Sequence, residues 1–122
     1  MRALTSVRWF GPAVLVSAAN FWLSHQPVLP APPGNDKLAH VIAYTVLGAT
    51  YVRALLGGTG WGERVALGAA FVAASLYGVF DELHQSLVPG RDASSADVVA
   101  DVIGAAIGTA AAFAVSRRLR KA

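Results

Sequence analysis

Three stretches of this sequence place polar side chains at helical spacing among apolar neighbours. In DKLAHVIAYTVLG, Asp36, His40 and Tyr44 recur at i, i+4 and i+8, which puts all three on one helical face. In YGVFDELHQSLVPGR, Tyr77, Asp81 and Gln85 form a second stripe with Glu82 beside it, and in DVVADVIGAAIGT a third line runs through Asp97, Asp101, Gly104 and Gly108. The chemistry open to these residues is limited. His40 with a carboxylate can act as general acid and base, Lys37 and Arg91 can hold a phosphate, and His40 with Asp81, Glu82, Asp97 or Asp101 can ligate a divalent cation. No nucleophile elbow, HExxH motif, P-loop or zinc-demanding spacing is present, so no metal or cofactor is assigned from motif alone. His40, Asp81 and Glu82 are the candidate catalytic residues. The candidate ligand-binding set adds Asp36, Lys37, Tyr44, Gln85, Arg91, Asp97 and Asp101.

Taken singly, several of these residues have simpler explanations. Asp36 can cap a helix, Lys37 can snorkel, Asp97 suits a helix start, and His40 can be a hydrogen-bonded interfacial histidine. Asp81 and Glu82 are harder to explain this way, because adjacent acids near a helix C-terminus oppose the helix dipole. Arg91 is their expected neutralising partner. His25 and His84 fall off the stripes. Gly104 and Gly108 form a GxxxG pattern that serves either packing within the chain or oligomerisation.

The elements that must position these residues are set by hydropathy. The chain has 122 residues, 55% hydrophobic and only 14% charged, with a mean hydropathy of +0.51, whereas a typical soluble domain is about 25% charged. A soluble fold this short could not hide so much apolar surface. Four stretches are long enough to cross about 30 Å of hydrocarbon, at 7–23, 38–56, 65–87 and 97–116. Proline- and glycine-rich loops separate them around Pro30, Gly58 and Pro89, giving one all-α domain over 1–122, a four-helix transmembrane bundle. Cysteine is absent, which excludes disulfides and thiolate metal sites.

Lys and Arg concentrate in short cytoplasmic loops. Four spans put both termini and the loop around Glu63 on one side, with Arg2, Arg8, Arg53, Arg64 and the tail of Arg117, Arg118, Arg120 and Lys121. Only Lys37 and Arg91 lie opposite, so both termini are expected in the cytoplasm. The basic tail reads as an anchor against acidic lipid rather than a nucleic-acid contact. Six of the seven acids fall on the outer side, away from Glu63. Charged groups facing lipid cost about 2.5–3.5 kcal/mol each, so the three stripes should converge on a common interior cavity, with Asp101 deepest. The first stretch also fits a signal peptide, with Arg2 and Arg8 before an apolar core and Ser17, Ala18 and Ala19 as a cleavage region. Trp9, Asn20 and Trp22 favour a retained span.

In order, the motifs Asp36-Lys37-x-x-His40-x-x-x-Tyr44-x-x-x-Gly48, Asp81-Glu82-x-x-Gln85-x-x-x-Pro89-Gly90-Arg91, and Asp97 with Gly104-x-x-x-Gly108 resemble the VanZ-like family of small bacterial membrane proteins. The resemblance covers about 36–108. Where the family often carries asparagine four residues after the helix-four aspartate, this chain has Asp101. The resemblance implies a multi-pass protein of the bacterial cytoplasmic membrane, whose namesake is associated with low-level resistance to the glycopeptide teicoplanin. Three functions stay open: engagement of an envelope lipid, its headgroup or a lipid-linked envelope precursor; an acid/base or metal-dependent enzyme acting on a phospholipid or polyprenyl phosphate; and a structural or interaction subunit.

Overall fold

The computed structural model describes residues 2–27 and 36–121, with side chains from Ser6 onward. The loop expected around Pro30 and the side chain of Arg2 lie outside the described residues. Four helices follow in order: α1 (Arg2–Ser24), α2 (Asp36–Gly58), α3 (Glu63–Gln85) and α4 (Ser95–Leu119). Each expected stretch lies within or nearly within one helix, so the loops fall where proline and glycine placed them. Helices α2, α3 and α4 are long and apolar enough to cross a membrane.

The helices alternate in direction. At one end, the C-terminal part of α1 and the start of α2 lie beside the end of α3 and the start of α4, as the His25–His84 and Lys37–Asp97 contacts record. At the other end, Arg53 of α2 reaches Arg8 of α1, and Arg120 beyond α4 reaches Glu63 of α3. The bundle is polar within and apolar without. Asp81, Glu82, Gln85, Asp97 and Asp101 are buried, while Val14, Leu15, Leu76, Leu83, Ile103 and Ile107 are exposed. Water would favour the reverse arrangement, and hydrocarbon favours this one.

The tightest packing joins α2 to α4. A Cβ at Gly104 would strike the Val41 carbonyl, and one at Gly108 would strike that of Thr45. The GxxxG face is therefore taken up within the chain, since small residues let two backbones approach when lipid offers no hydrophobic drive between helices. Tyr44, Leu47, Ala74 and Ala105 form the apolar core at this contact.

Helix α1 is held by polar contacts suited to a dry setting. Pro12 lies inside it and has no N–H to bond the carbonyl of Arg8, four residues earlier. Arg53 of α2 donates to that carbonyl at 2.8 Å, and its guanidinium lies over Trp9 at 4.9 Å from the ring centroid. The Tyr77 hydroxyl donates to the Ser17 carbonyl at 2.6 Å, and the hydroxyls of Ser17 and Tyr51 bond at 2.9 Å.

The α2–α4 contact predicts an asymmetry among glycines. Gly108→Val should destabilise the detergent-solubilised protein by about 1–3 kcal/mol, as overpacking does. Gly68, which has open space around it on α3, should accept alanine with no loss. Thermal unfolding of both variants checks this, and equal tolerance at the two positions would contradict the packing.

Candidate functional site

The end of the bundle that holds the α2 N-terminus gathers the three stripes. Helix α2 brings His40 and Tyr44 inward, α3 brings Asp81, Glu82 and Gln85, and α4 brings Asp97 and Asp101. Asp101 is fully buried, with a relative exposure of 0%. His40 Nδ1 lies 2.8 Å from Asp101 Oδ1, which ties α2 to α4 one turn from the glycine contact. Tyr44 is buried facing Asp81. Lys37 pairs with Asp97, and at 3.0 Å with Asp36. Asp36 stands apart from the cluster, because its side chain is 57% exposed.

The adjacent acids of α3 have separate roles. Asp81 Oδ2 accepts from Gln85 Nε2 at 3.2 Å, and Gln85 Oε1 accepts from Arg91 at 2.5 Å. Arg91 was expected to pair with the acids directly. It is linked to Asp81 through Gln85 instead, and among the described residues no ion pair joins it to Asp81 or Glu82. The turn that returns Arg91 to the bundle runs through Gly90, whose φ of 82° lies in the left-handed region.

Glu82 Oε2 accepts from the Ser94 backbone N–H at 2.8 Å. Ser94 is the N-cap of α4, with its own hydroxyl accepting from the Ala96 N–H. A carboxylate that opposes the dipole at the end of α3 thus sits at the favourable N-terminus of α4. Asp97 lies in the first turn of α4, as its place in the sequence suggested, and turns inward to Lys37.

A cavity of about 90 Å³ lies beside the cluster, lined by Asn20, Leu23, Ser24, Ala39, His40, Ala43, Tyr44, Asp81, Gln85 and Arg91. It has room for a few waters or a small polar group, and none for a lipid chain. Asn20 and Ser24 lie outside the stripes read from the sequence. Their i, i+4 spacing in an apolar helix is the signal that points to them. The Asn20 Nδ2 donor and the acceptors Glu82 Oε1 and Asp101 Oδ2 are buried without a hydrogen-bond partner among the described residues. His25 and His84 also meet, with Nδ1 and Nε2 3.2 Å apart beside Phe21 and Phe80. Both belong to a Phe-x-x-x-His repeat, Phe21 to His25 and Phe80 to His84, which sequence spacing already contains.

The link from Arg91 through Gln85 to Asp81 predicts unequal arginines. Arg91→Ala leaves the buried Gln85 amide oxygen without its donor, at about 1–3 kcal/mol. Arg120 pairs with Glu63 where both side chains are about half exposed, so Arg120→Ala should cost about 1 kcal/mol or less. Thermal unfolding in detergent separates the two, and an equal or smaller loss from Arg91→Ala would remove the link.

A family model described as VanZ/LLP1 matches residues 6–116. The match extends beyond the 36–108 of the resemblance and takes in most of α1 and α4. No curated protein and no solved structure matches the chain.

Proposed function

The chain belongs to the VanZ/LLP1 family, and from this membership we propose a four-span protein of the bacterial cytoplasmic membrane whose extracytoplasmic polar site engages the headgroup of an envelope lipid or lipid-linked precursor. The observation that carries the reading is the cavity lined by His40, Tyr44, Asp81, Gln85, Arg91 and Asn20. The cavity wall is mostly apolar, so the Arg91 guanidinium and the few polar atoms that reach it are what would hold a polar headgroup. A lipid supplies such a group at this depth while its chains stay outside the bundle. The cavity volume suits a headgroup or part of one.

The orientation rests on the basic residues. Arg8, Arg53, Arg64, Arg117, Arg118 and Arg120 stand at the bundle end opposite the site, and the positive-inside rule puts that end in the cytoplasm. Both termini are then cytoplasmic and the site faces outward, where glycopeptides act. That position accords with the teicoplanin resistance associated with the family's namesake.

A second reading is favoured by the contact of His40 Nδ1 with Asp101 Oδ1 at 2.8 Å. A carboxylate that orients an imidazole is the geometry of a general base, and it would make the chain an acid/base enzyme on a phospholipid or polyprenyl phosphate. Turnover of added lipid, lost in His40→Ala, distinguishes it from binding alone.

Native mass spectrometry of the purified protein tests the main reading. The wild type should carry a defined lipid, and His40→Ala and Arg91→Ala should retain at least tenfold less while staying monodisperse. Unchanged lipid in both variants would remove the site from lipid binding. Orientation has its own test with a membrane-impermeant thiol reagent on intact cells. Ser94→Cys should be labelled and Thr59→Cys protected, and labelling of Thr59→Cys alone would reverse the topology.

A further inference from the structure

We infer that His40, Glu82 and Asp101 form a binding site for a divalent transition-metal ion of the manganese, iron and zinc group. One potential ligand atom from each residue lies within 4.8 Å of the other two. Three helices supply them, so the site exists only in the folded bundle.

Unsatisfied oxygens point to a ligand here. Asp101 is fully buried and, among the described residues, its Oδ2 has no hydrogen-bond partner; Glu82 is 5% exposed and its Oε1 likewise has none. The Ser94 N–H holds Glu82 Oε2 at 2.8 Å and so fixes the free oxygen's direction, the usual task of a group behind a metal ligand. On α3, Gly78 leaves room for the Asp101 carboxylate, which a Cβ at that position would crowd.

Charge agrees with this, and spacing requires a small shift. Two ligand atoms on a shell with bonds of about 2.0–2.2 Å stand about 3.0–3.5 Å apart, so His40 Nδ1 and Asp101 Oδ1, hydrogen-bonded at 2.8 Å, would part slightly and give up their shared proton when an ion binds. The buried carboxylates of Asp81, Glu82, Asp97 and Asp101 face two cations, Lys37 and Arg91. The carboxylates outnumber the cations in a region that penalises unbalanced charge, and a dication offsets the excess. One imidazole nitrogen with two carboxylate oxygens suits manganese, iron or zinc better than magnesium or calcium, whose ligands are oxygens. The inference rests on the polar site proposed above and not on its lipid. A bound dication would also give that site an attraction for phosphate that its carboxylates alone lack.

The test is equilibrium binding of Zn²⁺ and Mn²⁺ to chelator-stripped, delipidated protein in detergent, with metal content read by mass spectrometry. The folded wild type should take up one ion per chain of at least one of the two and melt at higher temperature with it. The near-isosteric Glu82→Gln and Asp101→Asn should each weaken binding by about a hundredfold or more, while Asp36→Asn should not. Substoichiometric uptake by folded wild type, or uptake unchanged in both variants, would overturn the site. Lipid retention measured on the undelipidated protein is a separate readout, so failure of metal binding leaves the headgroup reading to stand or fall alone.

Discussion

At Gly104 and Gly108 the backbone of α4 runs against the carbonyls of α2, and a methyl group on either residue would strike them. In water, apolar burial could hold two helices at a looser distance. In lipid it cannot, because the acyl chains are as apolar as the side chains, and close van der Waals contact must do so instead. The register of that contact decides which polar groups meet. With Thr45 against Gly108 and Tyr44 against Gly104, the next turn toward the α2 N-terminus sets His40 beside Asp101. The site follows from the packing, and its hydrogen bond in turn locks the register.

The other helices complete what this pair begins. Helix α3 presents two adjacent acids at its C-terminal end, where its own dipole disfavours them, and each finds a partner elsewhere. Glu82 takes the N-terminal amide of α4, and Asp81 is reached by Arg91 through Gln85. Helix α1 adds Asn20 and Ser24 to the cavity wall and is itself anchored at the far end, where Arg53 satisfies the carbonyl that Pro12 leaves open. Most of the buried polar groups at this end of the bundle are thereby assigned a neighbour on another helix or loop.

Much of this was legible in the sequence, because hydropathy and i, i+4 spacing are local properties. The four helices and the inward stripes of His40 and Tyr44, Asp81 and Gln85, and Asp97 and Asp101 follow from them. Partner choice was less legible. Charge alone pairs Arg91 with Asp81 and Glu82, yet the turn at Gly90 delivers the guanidinium to Gln85, and the backbone amide at Ser94 takes Glu82. Asp36 lies on the His40 face by spacing but ends at the exposed start of α2, since a stripe that leaves the bundle also leaves its interior. The meeting of His25 and His84 depends on how α1 packs against α3, which no single segment encodes.

The central claim is that His40 and Asp101 meet across the α2–α4 contact inside the membrane. Solid-state NMR on bilayer-reconstituted protein, with ¹⁵N in histidine and ¹³C in the aspartate carboxyls, measures that distance directly. Asp101→Asn and His40→Gln samples assign the signal. The account predicts a dipolar contact between the His40 Nδ1 and the Asp101 carboxyl carbon at about 3–4 Å, as a hydrogen bond requires. A separation beyond about 6 Å, too long for any hydrogen bond, in protein shown to be folded would contradict it.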